Sequence, residues 1–415
     1  MSDPGRRALA YTSLAHFVND GNFFLFPPVL IAYYESIPGT KVVALGSVAI
    51  IYNVLSGFLS TPPLGRYADR HDRDSLLIFT GLLLNAVSVL IFMLPFVYHS
   101  LLFPLIITGS VVLGVAQSFY HPLGASVLSH VYDKPRASKA MGTNQAFGSL
   151  GRAVTPYLIS SLILIGGEVL GLGIFAVYMF AASFVTLAGL HFFSRSRFAV
   201  AQGKPGVEQQ PTVEPFSRYS GFVYFLTAVV FIRSMFMLAV NTYVPTYMSD
   251  IYHSKYLMSS VLSAGLIVSV AGGPPIFGRV TASRGGGRTT ILVTSGISAL
   301  AFLAFMLTRD IYITGVAYAV FAMTAFTGFP VLMGYVNEVV PRRFSTTSNG
   351  LVWGGLGGNT VGGAAGIGVM SLLLLYLPLG RVLYIMIAFA AVSFALTPLL
   401  PSKKKVSAAS ASGAR

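Results

Sequence analysis

The chain has no cysteine and a single tryptophan among 415 residues, and only 10% of its residues are charged. Without cysteine there are no disulfides and no thiol chemistry. No G-x-x-x-x-G-K-S/T loop occurs, so nothing in the chain is built to cradle the phosphates of ATP, and no H-E-x-x-H zinc motif occurs either. What is abundant is apolar surface. Hydrophobic residues make up 54% of the sequence and the mean hydropathy is +0.73, beyond the range of ordinary soluble domains.

These values describe a polytopic all-α membrane protein, because a backbone in lipid must satisfy its own polar groups. Runs of about 20 apolar residues, the length that crosses a bilayer core, fall at 8–34, 43–64, 75–96, 101–128, 140–163, 169–193, 219–247, 257–279, 289–307, 312–337, 348–375 and 382–400. The first run is too long and polar for a cleaved signal peptide and is expected to remain as the first span.

The net charge of +14 raises nucleic-acid binding as an alternative, which the placement of the charges makes unnecessary. Outside the spans, only Lys41, Lys255, Arg309 and Arg381 fall on one side of the expected membrane; the other basic residues fall on the opposite side. By the positive-inside rule both termini are cytoplasmic, in a cell (cytoplasmic) membrane. The lipid bilayer is then the expected partner, and nucleic acid is not.

The polar stretch 194–218 lies near the midpoint and reads as a cytoplasmic linker between an N-terminal bundle of six spans (1–193) and a C-terminal one (219–401), followed by a basic tail (402–415). Weak repetition supports two halves. P-P-L-G-R from Pro62 returns as P-P-I-F-G-R from Pro274, and Pro122 and Gly142 return as Pro330 and Gly350.

Polar groups inside the spans carry the functional reading. Asp20 lies about 18 Å along a helix that begins at Ala8, near the middle of a core about 30 Å thick. It is the only deep acidic residue. His16, Asn19 and Asn22 share its span, which Gly21 and Pro27-Pro28 interrupt, and a deep charge of this kind faces protein or water. Gln117 and His121 stand one turn apart on the fourth span. Gln145, Gly148 and Arg152 share one face of the fifth, and Arg233 and Asn241 one face of the seventh. Arg233 and Asp20 hold nearly equivalent places in the two halves, an arrangement in which they would oppose each other across a central cavity. The plainer alternative is a buried structural ion pair. Asn53 and Asn85 read as hydrogen-bonding glue between helices.

The loop after the second span carries Gly65, Asp69, Arg70 and Arg73. With this spacing the chain resembles the major facilitator superfamily, whose signature there is G-x-x-x-D-R/K-x-G-R/K-R/K; Asp72 stands where glycine is usual and Asp74 where a base is usual. H-F-V-N-D at His16–Asp20, H-P-x-G-x-S at His121–Ser126 and Q-x-x-G-x-x-G-x-A-x-x-P at Gln145–Pro156 look like the fosmidomycin-resistance exporters, which have glutamine at the place of Arg152 and glycine at that of Thr155. The resemblance implies twelve spans in two pseudo-symmetric bundles and a cavity lined by spans 1, 4, 5, 7, 10 and 11. It also implies a gating loop at Gly65–Arg73, with Asp69 facing the start of the eleventh span at Ser345–Asn349.

Together these readings give a secondary transporter: a monomer without cofactor, metal or catalytic residues, exporting a small anionic or zwitterionic compound in exchange for protons. Asp20 and His16 are the expected proton-coupling pair, and Asn19, Gln117, His121, Gln145, Arg152, Arg233 and Asn241 the expected substrate-binding residues. Proton-coupled uptake of an organic anion is the alternative; a membrane-embedded enzyme lacks a second deep acid, and a channel does not need the two-half repeat.

Overall fold

The computed structural model describes residues 3–38, 40–60, 64, 67–68, 71–132, 134–194, 216–282, 286–326, 335–336, 338–353 and 357–401. Among these residues all regular structure is helical. The chain divides into two compact units, Met1–Thr212 and Val213–Arg415. Gly65, Asp69, Arg70, most of the expected linker and the basic tail lie outside the described residues.

In the first unit, α1 (Pro4–Phe23) opens with the Asp3 carboxylate accepting from the Gly5 N–H at 2.9 Å and with proline in the first turn, where its missing N–H costs nothing. The expected interruption follows. Residues Leu25–Val29 form a π-type turn in which Phe26 is extended (φ −123°, ψ 128°), and α2 (Leu30–Tyr34) resumes beyond it. Pro28 removes a backbone donor there, and Phe26 stays buried by stacking on Phe92 at 4.8 Å between centroids.

The unit continues with α3 (Val42–Ser60), α4 (Asp74–Met93), α5 (Leu102–Val131) and α6 (Lys134–Leu190). α6 contains both the fifth and sixth expected spans. The loop between them shrinks to the single reversal at Gly167, whose φ of 76° is a conformation glycine adopts without a Cβ penalty. α1 packs along α6, while α4 and α5 pack on each other. Arg7 ties the start of the unit to its end, donating from Nε to the Gly189 carbonyl at 3.0 Å and from Nη2 to that of Ala188 at 3.1 Å, with the guanidinium over the Phe192 ring.

The second unit contains α7 (Ser217–Tyr252), α8 (Lys255–Ala282), α9 (Gly286–Leu307), α10 (Ile311–Phe326), α11 (Arg342–Trp353), α12 (Gly358–Leu373) and α13 (Leu379–Leu396). α11 and α12 share what reads in sequence as one span, 348–375. α12 lies against α7, with Gly358, Gly362 and Gly366 one turn apart on the contact face; a Cβ on Gly366 would stand 2.2 Å from the Met235 carbonyl oxygen.

Among the described residues seven helical stretches are long and apolar enough to cross a membrane, one of them the two-limbed α6. Leu164, Val177, Leu300 and Val316 are exposed, as side chains facing lipid would be.

Candidate functional site

The deep carboxylate expected from the sequence is enclosed by the first unit. Asp20 is 3% exposed, and each of its oxygens meets two partners. Oδ2 lies 3.2 Å from Arg152 Nη1 and 3.3 Å from His16 Nε2; Oδ1 lies 3.5 Å from His121 Nε2 and accepts from Asn19 Nδ2 at 3.2 Å. Three helices contribute. His16 and Asp20 are one turn apart on α1, His121 comes from α5 and Arg152 from α6.

The helices come this close because α6 presents glycine where α1 crosses it. A Cβ on Gly148 would stand 2.3 Å from His16 Nε2, and one on Gly151 would stand 2.1 Å from the Phe17 carbonyl oxygen. Any larger residue at either place would push α1 and its carboxylate away from Arg152.

Exposure divides the cluster. The His16 side chain is 1% exposed, whereas those of Arg152 and His121 are 34% and 51% exposed. Asp20 thus lies between an inner, enclosed histidine and two outer groups that meet the surroundings. Arg152 is also steadied by Ser149, whose Oγ accepts from Nη2 at 3.0 Å.

Beneath the charges lies a neutral amide network. Gln117 accepts from Asn19 Nδ2 at 2.9 Å, and its own Nε2 donates to the Asn19 carbonyl at 2.7 Å and to Asn85 Oδ1 at 3.1 Å. Asn85 in turn donates to Asn19 Oδ1 at 3.0 Å, and Asn22 Nδ2 reaches Asn85 Oδ1 at 2.9 Å and Ser88 Oγ at 3.2 Å. Asn85 therefore bridges helices. Among the described residues Asn53 donates back to the Ala49 carbonyl of its own helix at 3.0 Å, a bond within the helix and not between helices.

His16, Asn19, Asp20, Gln117, His121 and Arg152 are thus brought together. Gln145 is exposed, while Asn144, one residue earlier, is buried and meets His16. Arg233 and Asn241 belong to the second unit, both buried on α7. Arg233 Nη2 donates to the Thr324 carbonyl at 3.1 Å and to Thr294 Oγ1 at 3.4 Å, and among the described residues its Nε has no partner and no carboxylate pairs with it. Arg73 is exposed just before α4. Asp72, where the signature has glycine, adopts φ 45° and accepts from Ser194 Oγ at 2.7 Å. The backbone there is left-handed, which explains the usual glycine, and aspartate is among the few residues that tolerate it.

The donor atoms of His16, Asp20 and His121 lie within 4.8 Å of one another, a spread that a transition metal also needs. The Arg152 guanidinium lies 3.2 Å from the same carboxylate and would repel a cation placed there.

Comparison with known proteins agrees with the topology. The sequence model of the Major Facilitator Superfamily matches residues 12–358, most of the chain. This chain belongs to the major facilitator superfamily. Membership makes it a multi-pass membrane transporter of small molecules rather than an enzyme. Within the superfamily it is similar to the fosmidomycin resistance protein of Escherichia coli (strain K12), 22% identical over 379 residues that cover 88% of this chain and 86% of the relative. Its fold is similar to that of a bacterial homologue of the human lysosomal transporter Spinster, solved inward-facing and unoccupied, with a TM-score of 0.71, 12% identity and 98% of each chain covered.

Proposed function

We propose that this transporter couples the movement of a small anionic or zwitterionic organic compound to protons, with Asp20 and His16 as the proton-coupling pair and export as the direction. The observation that carries this reading is the enclosure of a deep carboxylate between one inaccessible histidine and two partly exposed side chains, the Arg152 guanidinium and the His121 imidazole. A carboxylate so placed exchanges its proton only through its neighbours, and changing which neighbour it meets is what a coupling site requires. The chain works as a monomer in the cytoplasmic membrane with both termini inside, consistent with where its basic residues fall.

Anion selectivity follows from charge. Arg152 presents a guanidinium fork suited to phosphonate, phosphate or carboxylate oxygens, and it would repel a lipophilic cation; in the second unit Arg233 is a buried cation of the same kind. Asn19, Gln117, His121, Gln145 and Asn241 complete the proposed binding surface, and Gly65, Asp69, Arg70 and Arg73 the gating loop. The likeness to a protein named for fosmidomycin resistance supports export.

The 3.2 Å contact between Arg152 and Asp20 favours a second reading, uptake. While Asp20 is ionised it occupies the guanidinium; once protonated it releases it. Proton and anion then bind together rather than in exchange, and co-binding drives symport.

Flux in proteoliposomes under imposed pH gradients, with matched anionic and cationic compounds, tests the whole reading. Anion movement that responds to the gradient supports it, and the orientation of the effective gradient distinguishes exchange from symport. Flux indifferent to the gradient, or cation handling undiminished in Arg152→Gln, defeats it.

A further inference from the structure

His16 sits at the end of a hydrogen-bond chain whose direction is set by the shortest contact at its far end. The Thr12 carbonyl can only accept, and Tyr120 Oη lies 2.7 Å from it, closer than its 3.0 Å to Asn144 Oδ1, which assigns the one phenolic proton to the carbonyl. The Tyr120 oxygen must then accept from its other neighbour, Asn144 Nδ2, at 2.9 Å. With its NH2 group turned to Tyr120, Asn144 directs Oδ1 at His16 Nδ1, 2.8 Å away. That nitrogen is then the donor. Turning the amide over would require the phenolic proton to leave its shorter contact with the Thr12 carbonyl for the amide oxygen.

The neutral ring is therefore protonated at Nδ1 and bare at Nε2, the reverse of the tautomer that free histidine prefers. Nε2 is buried and lies 3.3 Å from Asp20 Oδ2, its nearest polar neighbour among the contacts of the described residues. Gly148 walls it on the α6 side, and the Tyr120 and His121 rings approach the imidazole at 4.6 and 5.4 Å between centroids.

We propose that Asn144, held by Tyr120, is a positioning residue that reserves His16 Nε2 as the one place where this histidine gains a proton. The protonated nitrogen then donates to Asp20. The titratable and charged groups facing the pair are Asp20 itself, Tyr120 and His121 from α5, and Arg152 from α6; α4 contributes the amide of Asn85 and the hydroxyl of Ser88. A proton arriving at Asp20 thus has an inner acceptor ready and correctly turned, without any rearrangement of the imidazole. The role in transport rests on the proton-coupling reading above; the tautomer does not.

Nitrogen NMR of the full chain in nanodiscs, labelled at the histidine ring nitrogens, is the direct test. The His16 signals among the seven histidines are identified by their loss in His16→Gln. Neutral wild-type His16 is expected as Nδ1–H, and Asn144→Leu is expected to turn it to Nε2–H. Tyr120→Phe, which frees the amide to turn over, is expected to give a mixture and serves where the leucine variant does not fold. Neutral wild-type His16 found as Nε2–H, or a tautomer indifferent to both substitutions, overturns the inference. The Nδ1–H form in a protein whose flux ignores pH gradients supports the assignment and defeats the coupling reading alone. In proteoliposomes Asn144→Leu is expected to lose the gradient-driven part of accumulation; retention of wild-type accumulation by a variant whose tautomer has turned removes Asn144 from the coupling.

Discussion

The two units reuse one frame and fill it with different chemistry. In the first, Asn22 of α1 meets Asn85 of α4; in the second, Arg233 of α7 meets Thr294 of α9. Glycines of α6 press on the α1 backbone, and glycines of α12 press on that of α7. Even the entry to the third expected span of each unit repeats. Asp72 at φ 45° precedes α4, and Gly286 at φ 61° opens α9. Yet the α1–α6 seam carries two histidines, a carboxylate and a guanidinium within its reach, while among the described residues the α7–α12 seam carries neutral bonds such as Ser234 to Asn359 at 2.7 Å. Geometry at these seams is set by small residues that let backbones meet. What is done there is set by the side chains placed between them, so one frame serves a titratable seam and an inert one.

The largest effect should fall on the titratable seam. Asp20→Asn preserves shape and removes the charge, and is expected to abolish accumulation driven by a pH gradient while the protein remains monodisperse on size exclusion. Wild-type accumulation in that variant would make the cluster structural and the two seams alike in kind. Next comes the inert seam. Gly366→Val drives a branched side chain into the Met235 carbonyl and is expected to cost about 3 kcal/mol, the upper range for overpacking, read as a loss of thermal stability in detergent.

The polar knots should separate more gently. Asn85→Leu strands Asn22, Asn19 and Gln117 and is expected to cost about 2 kcal/mol. Arg233→Met removes a buried cation that no carboxylate among the described residues neutralises, and stability is expected to change by less than about 1 kcal/mol or to rise. A collapse of the Met variant would mean that the guanidinium is satisfied in a way the contacts above do not include. Smallest is Asp72→Gly, which relieves left-handed backbone but loses the bond from Ser194, with a net change expected within about 0.5 kcal/mol by the same thermal measurement.

Much of this was legible in the sequence because bilayers impose strict periods. The broken first span, the deep carboxylate and the face of α6 that meets it followed from apolar length, proline and the cost of a buried charge. What was not legible depended on a single residue step around a helix. Asn144, Gly148 and Arg152 form one stripe at a spacing of four, but glutamine at 145 lies nearly as close to it in projection, and only packing decides which side chain turns inward. Asn53 illustrates the same limit: an amide in a helix bonds to a neighbour or to its own preceding turn, and composition cannot distinguish the two. The meeting of the fifth and sixth spans at one glycine was hidden too, since a tight reversal needs only a positive φ where sequence suggests a loop.

The cluster around Asp20 also has a history during synthesis. Its partners His121 and Arg152 are made long after it, and at about 5–20 residues per second the ribosome reaches Arg152 roughly 7–26 s after Asp20 has left the peptidyl-transfer centre. For that interval the first span carries an acid with only His16 and Asn19 for company. Its lodging in the membrane is provisional until the fifth span arrives. A nascent chain stalled before residue 152 should therefore hold its first span in the bilayer less firmly than one stalled after it, and the order of translation becomes part of how this site is assembled.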